Sequence, residues 1–361
     1  MKIEIHRFGL DDLCVESAPP FDDPHGVCRI NRETIAAFRT NPIRQIGDGP
    51  AQLVGAVDGC AAGTLKFLPG EIVVDGRAHS IAWCSGLYVV PEFRKSLLGV
   101  TLIKEARHTY EIVGGSRVGE TAFPLFERLG WLGIPLTRYV LACRSRPILE
   151  HSLGTGKVAS MLAPVADFAI GLHRRMLERR EEASCADLRC TLASSVPESL
   201  DPALAELSHP VGCHRSSRWL NWILQNAFDT DRGNRKHLFF IHDRPDRLVA
   251  YFITRVKIHE RPSHRGSEAL LVGSVLDWGV FDPHTINQKR LWLMATNTLT
   301  AEGVDVVEIC DMSPDADVPF GFRKYGRHWM VLYSSPTGPT IDKGAMSHWR
   351  VRQIDGDSGL S

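Results

Sequence analysis

Between Gly86 and Leu102 the chain reads GLYVVPEFRKSLLGVTL: an apolar extended run that stops at Pro91, a turn carrying Arg94 and Lys95, and an apolar segment with Gly99 in its first turn. A strand, a turn and a helix in that order leave the first N–H groups of the helix without acceptors and put the positive end of its dipole at the turn. Two cations beside such a corner make a ready anion site, and a pyrophosphate fits there. Pro91 also ends the strand and splays it from its neighbour, opening a slot into which another extended chain can lay hydrogen bonds.

Two further groupings carry candidate chemistry. Arg215-Ser216-Ser217-Arg218-Trp219-Leu220-Asn221-Trp222 sets two cations beside two indoles, suited to stacking on a sugar or base and to pairing with phosphate or carboxylate. The same spacing describes an amphipathic helix with its tryptophans in a core. That is the better reading for Trp222, while Arg218 and Trp219 stay as candidate substrate-binding residues. Asp277-Trp278, at the end of a long strand, offers a carboxylate and an indole to an acceptor hydroxyl or amine. The histidines His259, His264 and His284 lack ligand spacing, so no metal is expected. Nine cysteines without a CxxC pair read as reduced thiols, with Cys84 a small buried residue of its strand.

Elements of both periods must position these groups. Short alternating runs at Lys2–His6, Leu53–Asp58, Ala62–Phe67, Glu71–Val74 and Ile81–Val90 predict strands, with Leu68-Pro69-Gly70 and Gly59 as turns between them. Leu98, Leu102, Ala106 and Tyr110 share one helix face, and the helix is expected to end at Gly114-Gly115. A strand over Arg117–Ala122, a short helix over Phe123–Leu129 and a strand over Arg138–Arg144 follow. Phe168, Leu172 and Met176 lie at helical spacing ahead of the charge run Arg174–Glu182, whose charges read as a solvated face tied by i,i+4 pairs. The order then recurs loosely, with strands at Leu188–Leu192, His237–His242, Leu248–His259, Ala269–Phe281 and Asp305–Cys310, and helices near Pro202–Leu207, Ser217–Asn226 and Thr285–Ala301. Phe322-Arg323-Lys324-Tyr325-Gly326-Arg327 echoes Phe126-Glu127-Arg128-Leu129-Gly130-Trp131. Two related domains are therefore expected, at 1–145 and 185–345, with a helical connector at 146–184 and a tail at 346–361.

With 361 residues, 43% of them hydrophobic, and 42 Lys and Arg balancing 42 Asp and Glu, the chain is globular and has no overall basic character for nucleic acid or a membrane surface. No apolar run approaches the roughly 18 residues of a membrane span, and no signal peptide is visible, so a cytoplasmic location is expected.

Val89, Pro91, Arg94 and Gly99 fall in register with V-x-P-x-x-R/Q-x-x-G-x-G/A, between a strand and a helix, and Phe126-Glu127-Arg128-Leu129-Gly130-Trp131 follows at the usual distance as Y/F-E-x-L-G-F/W. On these two ordered motifs residues 1–145 resemble the GNAT superfamily of acyl-CoA-dependent acyltransferases. The resemblance implies an α/β fold of two GNAT-like domains, each a mixed, mostly antiparallel sheet flanked by helices. It implies acetyl-CoA or another acyl-CoA as co-substrate, its pantetheine paired with Leu87, Tyr88 and Val89. Its pyrophosphate would be held by amides of Arg94, Lys95, Ser96, Leu97, Leu98, Gly99 and Val100. Position alone makes Glu92 and Glu120 candidate bases, with Asp277 a third candidate acid or base. The sequence departs from the pattern at Leu97, in place of a loop glycine, and at Phe126, in place of a tyrosine that often protonates the departing thiolate.

Aligning Pro283 with Pro91 places Ile286, Lys289 and Leu291 where Arg94, Leu97 and Gly99 stand, so the second copy is degenerate and one CoA per chain is expected. The implied reaction moves an acetyl group to an amine or hydroxyl of a small acceptor, and the Arg/Trp group favours a sugar or cell-envelope precursor. The competing readings are a non-catalytic acyl-CoA-binding module and a FemAB-like aminoacyltransferase. Zero net charge counts against the latter, whose donor is a tRNA.

Overall fold

The computed structural model describes residues 2–14, 21–43, 49–145, 148–149, 157–207, 211–227, 233–259, 269–311, 318–319, 321–341, 344, 349 and 351–356. Its strands are β1 (Ile3–Phe8), β2 (Gln52–Val57), β3 (Cys60–Val74), β4 (Arg77–Val89), β5 (Ile112–Gly119), β6 (Leu132–Ala142), β7 (Arg189–Ala193), β8 (Val211–Cys213), β9 (Arg235–Arg244), β10 (Arg247–His259), β11 (Leu270–Val280), β12 (Val306–Asp311) and β13 (Arg323–Ser334). Its helices are α1 (Arg32–Thr40), α2 (Leu98–Thr109), α3 (Phe123–Arg128), α4 (Lys157–Cys185), α5 (Asp201–Glu206), α6 (Ser217–Gln225) and α7 (Gln288–Ala301).

The chain folds into two compact units, neither of which is one continuous segment: the first is Met1–Leu136, Glu198–Asp229 and His328–Ser361, the second Thr137–Pro197 and Thr230–Arg327. The first carries the sheet order β1-β2-β3-β4-β5-β13, with β8 on the far end of β3. Only β4 and β5 run parallel there; the other assigned pairs are antiparallel. The second carries β6-β12-β11-β10-β9-β7, again with one parallel pair, β11 and β12. Each sheet is mixed and mostly antiparallel and has a helix in the crossover between its parallel strands, α2 in the first and α7 in the second, since a parallel neighbour is reached only by a crossover. Leu98, Leu102, Ile103 and Ala106 of α2 bury against Leu53, Leu65, Phe67 and Val331. In the second unit Leu291, Trp292, Ala295 and Leu299 of α7 bury against Phe252, Val275, Val307 and Ile309.

Several expectations change. The units are not serial: the last strand of each sheet comes from the opposite half of the chain, His328–Ser334 of β13 on β5 and Thr137–Ala142 of β6 on β12. Leu68-Pro69-Gly70 is no turn but the middle of β3, with Pro69 opposite Ala82. Pairing with β2 has ended at Lys66, so the missing proline N–H leaves no ladder bond unmade. Gly114 and Gly115 lie inside β5, where a Cβ on Gly114 would fall 2.4 Å from the Trp83 ring.

The echo also fails, because Arg323–Arg327 is strand while Phe123–Arg128 is helix. In the expected tail, Trp349 and Val351–Gly356 are buried, and Asp355 accepts a 2.8 Å bond from the buried Arg215. The connector proves to be α4, part of the second unit, which contacts α7 and buries Leu177. Arg174 and Glu178 on it form the i,i+4 pair, and Met161, Val165, Phe168 and Leu172 are exposed. Among the described residues no helix is long and apolar enough to cross a membrane.

Candidate functional site

The site of interest is the end of β4. Pairing between β4 and β5 covers only Ala82–Cys84 against Val113–Gly115, and beyond it the two strands part. Each carries a bulge just past that point. On β4, Gly86 and Leu87 stand where β3 has Leu65 alone, and Gly86 takes φ +61°. A Cβ there would meet nothing within 4 Å, so glycine is needed for the backbone conformation rather than for room. On β5, the register against β13 slips at Ser116-Arg117, and Arg117 takes φ +57° without being glycine, a conformation that costs on the order of 1–3 kcal/mol. Two bulges in parted parallel neighbours re-aim both strands and leave a wedge. Along it, the β5-facing edge of Ser85–Val89 has no strand partner among the described residues, while Tyr88 and Val89 keep their pairing with Thr64 and Gly63 on the other side. Leu87 and Tyr88 are exposed at 41% and 44%.

The corner above the wedge is built by short-range bonds. The Val90 amide donates to Ala62 O at 2.9 Å and pins the strand end. A 3-10 turn over Pro91–Phe93 follows, with Phe93 N–H donating to Val90 O, Arg94 N–H to Pro91 O and Ser96 N–H to Phe93 O. The Ser96 hydroxyl donates to Phe93 O at 2.7 Å and accepts from Leu98 N–H at 3.2 Å. Arg94 Nε donates to Val89 O at 3.2 Å, tying the turn back to the strand. These bonds divide the expected seven-residue cradle. The amides of Arg94, Ser96 and Leu98 are used inside the turn. Those of Lys95, Leu97, Gly99 and Val100 have no acceptor among the described residues, and Leu97 at the N-cap of α2 supplies no side-chain cap. Leu97 sits at φ −79°, a conformation any residue adopts, so the loop does not need the glycine it lacks.

The candidate acids and bases are less converged. Glu92 lies exposed in the 3-10 turn and Glu120 exposed in the turn after β5. Phe126 is buried edge-on against Trp131, with ring centroids 5.1 Å apart. Cys84, expected to be buried, is half-buried and packs against the α2 core. The hydroxyl-bearing residues of the parted segments Ser85–Val89 and Ser116–Gly119 are Ser85, Tyr88 and Ser116.

The Arg/Trp group belongs to the first unit, not the second. Ser216 caps α6 by accepting from Trp219 N–H at 3.2 Å. Trp219 and Trp222 are both buried, the latter donating to Ala37 O at 3.1 Å. Trp219 is therefore a core residue, because the strongly one-sided α6 turns both indoles inward. Arg218 does face open space, in a polar cavity of about 510 Å³ with Thr40, Glu198, Asn221 and Gln225.

The corresponding corner of the second unit is closed. Asp277 is fully buried and accepts from Tyr251 Oη at 2.7 Å, and Trp278 is 2% exposed, edge-on to Trp292 at 5.3 Å. Trp278 lies on the face covered by α7 and Asp277 is bonded to Tyr251 of the neighbouring β10, and neither side chain is open to solvent. At the N-terminus of α7, Asn287 caps Arg290 N–H at 2.9 Å, and Asp282 accepts from His284 N–H and the Thr285 hydroxyl. The Thr285 hydroxyl, first, and Arg247 help hold the Asp282 carboxyl below the ordinary carboxylate range. A carboxylate in the turn and a capped terminus repel and exclude an anion where α2 leaves its amides open.

No family model matches this sequence, and no curated protein does. Among solved structures, the chain is similar to Saccharomyces cerevisiae N-myristoyltransferase with bound myristoyl-CoA, at 11% identity over 99% of this chain and 85% of that one, TM-score 0.54. It is similar to a conserved protein from Enterococcus faecalis V583 described as a probable N-acyltransferase, at 10% identity over 92% and 73%, TM-score 0.50. A tandem GNAT protein from the clavulanic acid biosynthesis pathway aligns at 15% identity over 94% and 100%, TM-score 0.49. At such identities likeness speaks of fold alone, and the fold of this chain is like that of the N-myristoyltransferase structure.

Proposed function

We propose that the first unit is an acyl-CoA-dependent acyltransferase acting on an amine or hydroxyl of a small acceptor. The observation that carries this reading is the combination at one corner of unbonded amides at Lys95, Leu97, Gly99 and Val100 with a strand edge freed by the bulge at Gly86. The fold likeness to a transferase holding myristoyl-CoA supports it.

In this reading the diphosphate sits on the free amides, with Lys95 and Arg94 adding charge, and the pantetheine arm extends along the open edge of Ser85–Val89 as an added strand. The thioester carbonyl then lies in the wedge, where a backbone N–H of β4 stabilises the oxyanion formed as the acceptor attacks, a contact worth about 3–4 kcal/mol of barrier in comparable sites. The acceptor nitrogen or oxygen bonds to the carbonyl carbon, the C–S bond breaks, and the acceptor proton passes to Glu92, Glu120 or water. The departing thiolate has an ordinary thiol pKa of about 8.5, so water can protonate it and Phe126 does not block the reaction.

The buried Phe126 favours one second reading, a non-catalytic acyl-CoA-binding module. Acetyl-CoA and myristoyl-CoA should raise the melting temperature of the wild type, and Lys95→Glu and Arg94→Glu should remove the shift. An enzyme releases CoA thiol with a member of an amine, amino-acid and amino-sugar panel, whereas a binding module shows the shift and no release. An aminoacyl-tRNA-dependent enzyme shows no shift at all, which would end the acyl-CoA reading.

A further inference from the structure

A cavity of about 1170 Å³ in the second unit lies away from the site above in sequence and in chemistry. Its floor is one face of β6, β12 and β11. Cross-strand partners share a face, so the register Ala142–Val306–Val272, with Val140 beside Glu308, lays down a continuous apolar row. The opposite face of the same strands carries Leu141, Val307 and Val275 onto α7. The walls are Ala169, Ile170 and His173 of α4 and the segment holding Phe322 and Tyr325. Gly321, at φ +96°, lets that segment lie on His173: a Cβ there would fall 2.0 Å from the imidazole.

The space is above the ~300–1,000 Å³ usual for ligand pockets and so has room for a lipid-sized molecule. Arg138, Arg323, His173 and His259 border the cavity, and the Glu308 carboxylate beside Val140 is buried and paired with Arg138. Arg138 gives one nitrogen to Glu308 at 2.6 Å, while its Nε is buried without an acceptor and its guanidinium lies 5.3 Å from the Tyr325 ring.

We propose that this cavity binds an amphipathic anion, a medium- or long-chain carboxylate whose tail lies on the Val140–Val272–Val306 floor and whose head meets Arg138 and Arg323. The floor supplies apolar burial, the rim supplies cations, and a neutral or cationic amphiphile of the same length finds only the first.

The test titrates the whole chain with dodecanoate, dodecanol and dodecyltrimethylammonium, each below its micelle concentration, by calorimetry and thermal shift. Dodecanoate should bind saturably at one site per chain, at least tenfold tighter than dodecanol, and the cation should not bind. Arg323→Glu, at an exposed position, should weaken dodecanoate at least tenfold, and Ala169→Trp, on the exposed wall, should abolish binding. Arg94→Glu should leave it unchanged. No saturable binding, equal affinity for dodecanoate and dodecanol, or binding that survives both Ala169→Trp and Arg323→Glu overturns the proposal. So does loss of binding in Arg94→Glu, which would place the carboxylate at the acyl-CoA corner.

Discussion

Single residues respond to surroundings that their type alone does not disclose. The thiols illustrate this. Burial, with Asp23 beside it, pushes the Cys28 thiol up to about 12, whereas Cys190 is exposed. Since the thiolate is the nucleophile, alkylation by iodoacetamide at pH 8 should modify Cys190 within minutes and leave Cys28 intact, as peptide mass mapping will show. Cys28 reacting first would contradict the packing around it.

Lys236 gives the pH counterpart. Burial, then the facing Arg255, lowers its ammonium from the ordinary value of 10.5 to about 7. Between those values the unfolded chain binds more protons than the native one, so this group makes stability rise with pH by at most about 1.4 kcal/mol per unit, and its cost is full below pH 7. Lys236→Met should accordingly melt higher than wild type at pH 7, with the gap closing toward pH 10.5. Of the residues singled out by type, Arg94, Lys95 and Arg218 stand at open sites, whereas Trp219, Asp277 and Trp278 are buried, because an indole or a carboxylate reads the same in a sequence whether or not a helix covers it.

At the scale of elements, α2 and α7 are the same crossover helix with opposite ends. Both begin after a strand that runs parallel to the one following the helix; α7 is capped by the Asn287 side chain at its N-cap, whereas α2 has Leu97 there and only Ser96 on its first amide. This contrast was legible in outline, since Pro283 is followed by none of the loop residues that follow Pro91. The bulge that opens the wedge was not: Gly86 looks like any strand glycine until its partner strand is one residue short. Gly99 separates fold from function here. Its Cβ would meet Val89 at 3.6 Å, an ordinary contact, and its φ is unexceptional. Gly99→Ala should therefore keep or raise stability, by up to about 1 kcal/mol from helix propensity, while weakening acyl-CoA binding by crowding the diphosphate against its amide. Melting curves with and without acetyl-CoA measure both effects, and unchanged affinity would argue that the diphosphate does not touch that amide.

Over the whole molecule, the main departure from a serial reading is that the first unit draws on Glu198–Asp229 and His328–Ser361. The buried pair Arg215–Asp355 holds two of those segments together within it. Arg215→Met leaves the Asp355 carboxylate buried without its cation, which should cost about 3–5 kcal/mol in urea unfolding, and Arg215→Met combined with Asp355→Leu should recover part of it. A single mutant as stable as wild type would mean that the C-terminal segment is not bound as described. What the amino-acid order determined by itself was local: element periods, the strand-turn-helix corner with its Pro91, Arg94 and Gly99, and the absence of those loop residues after Pro283. Those features rest on backbone propensity and on residues within one turn of each other. Strand exchange between halves, the paired bulges, the burial of the tryptophans and the basic-rimmed cavity were decided by tertiary structure, since each depends on which distant segment supplies the neighbour. Hydrogen-bond registers and covering helices make that choice, and neither leaves a mark at fixed spacing along the chain.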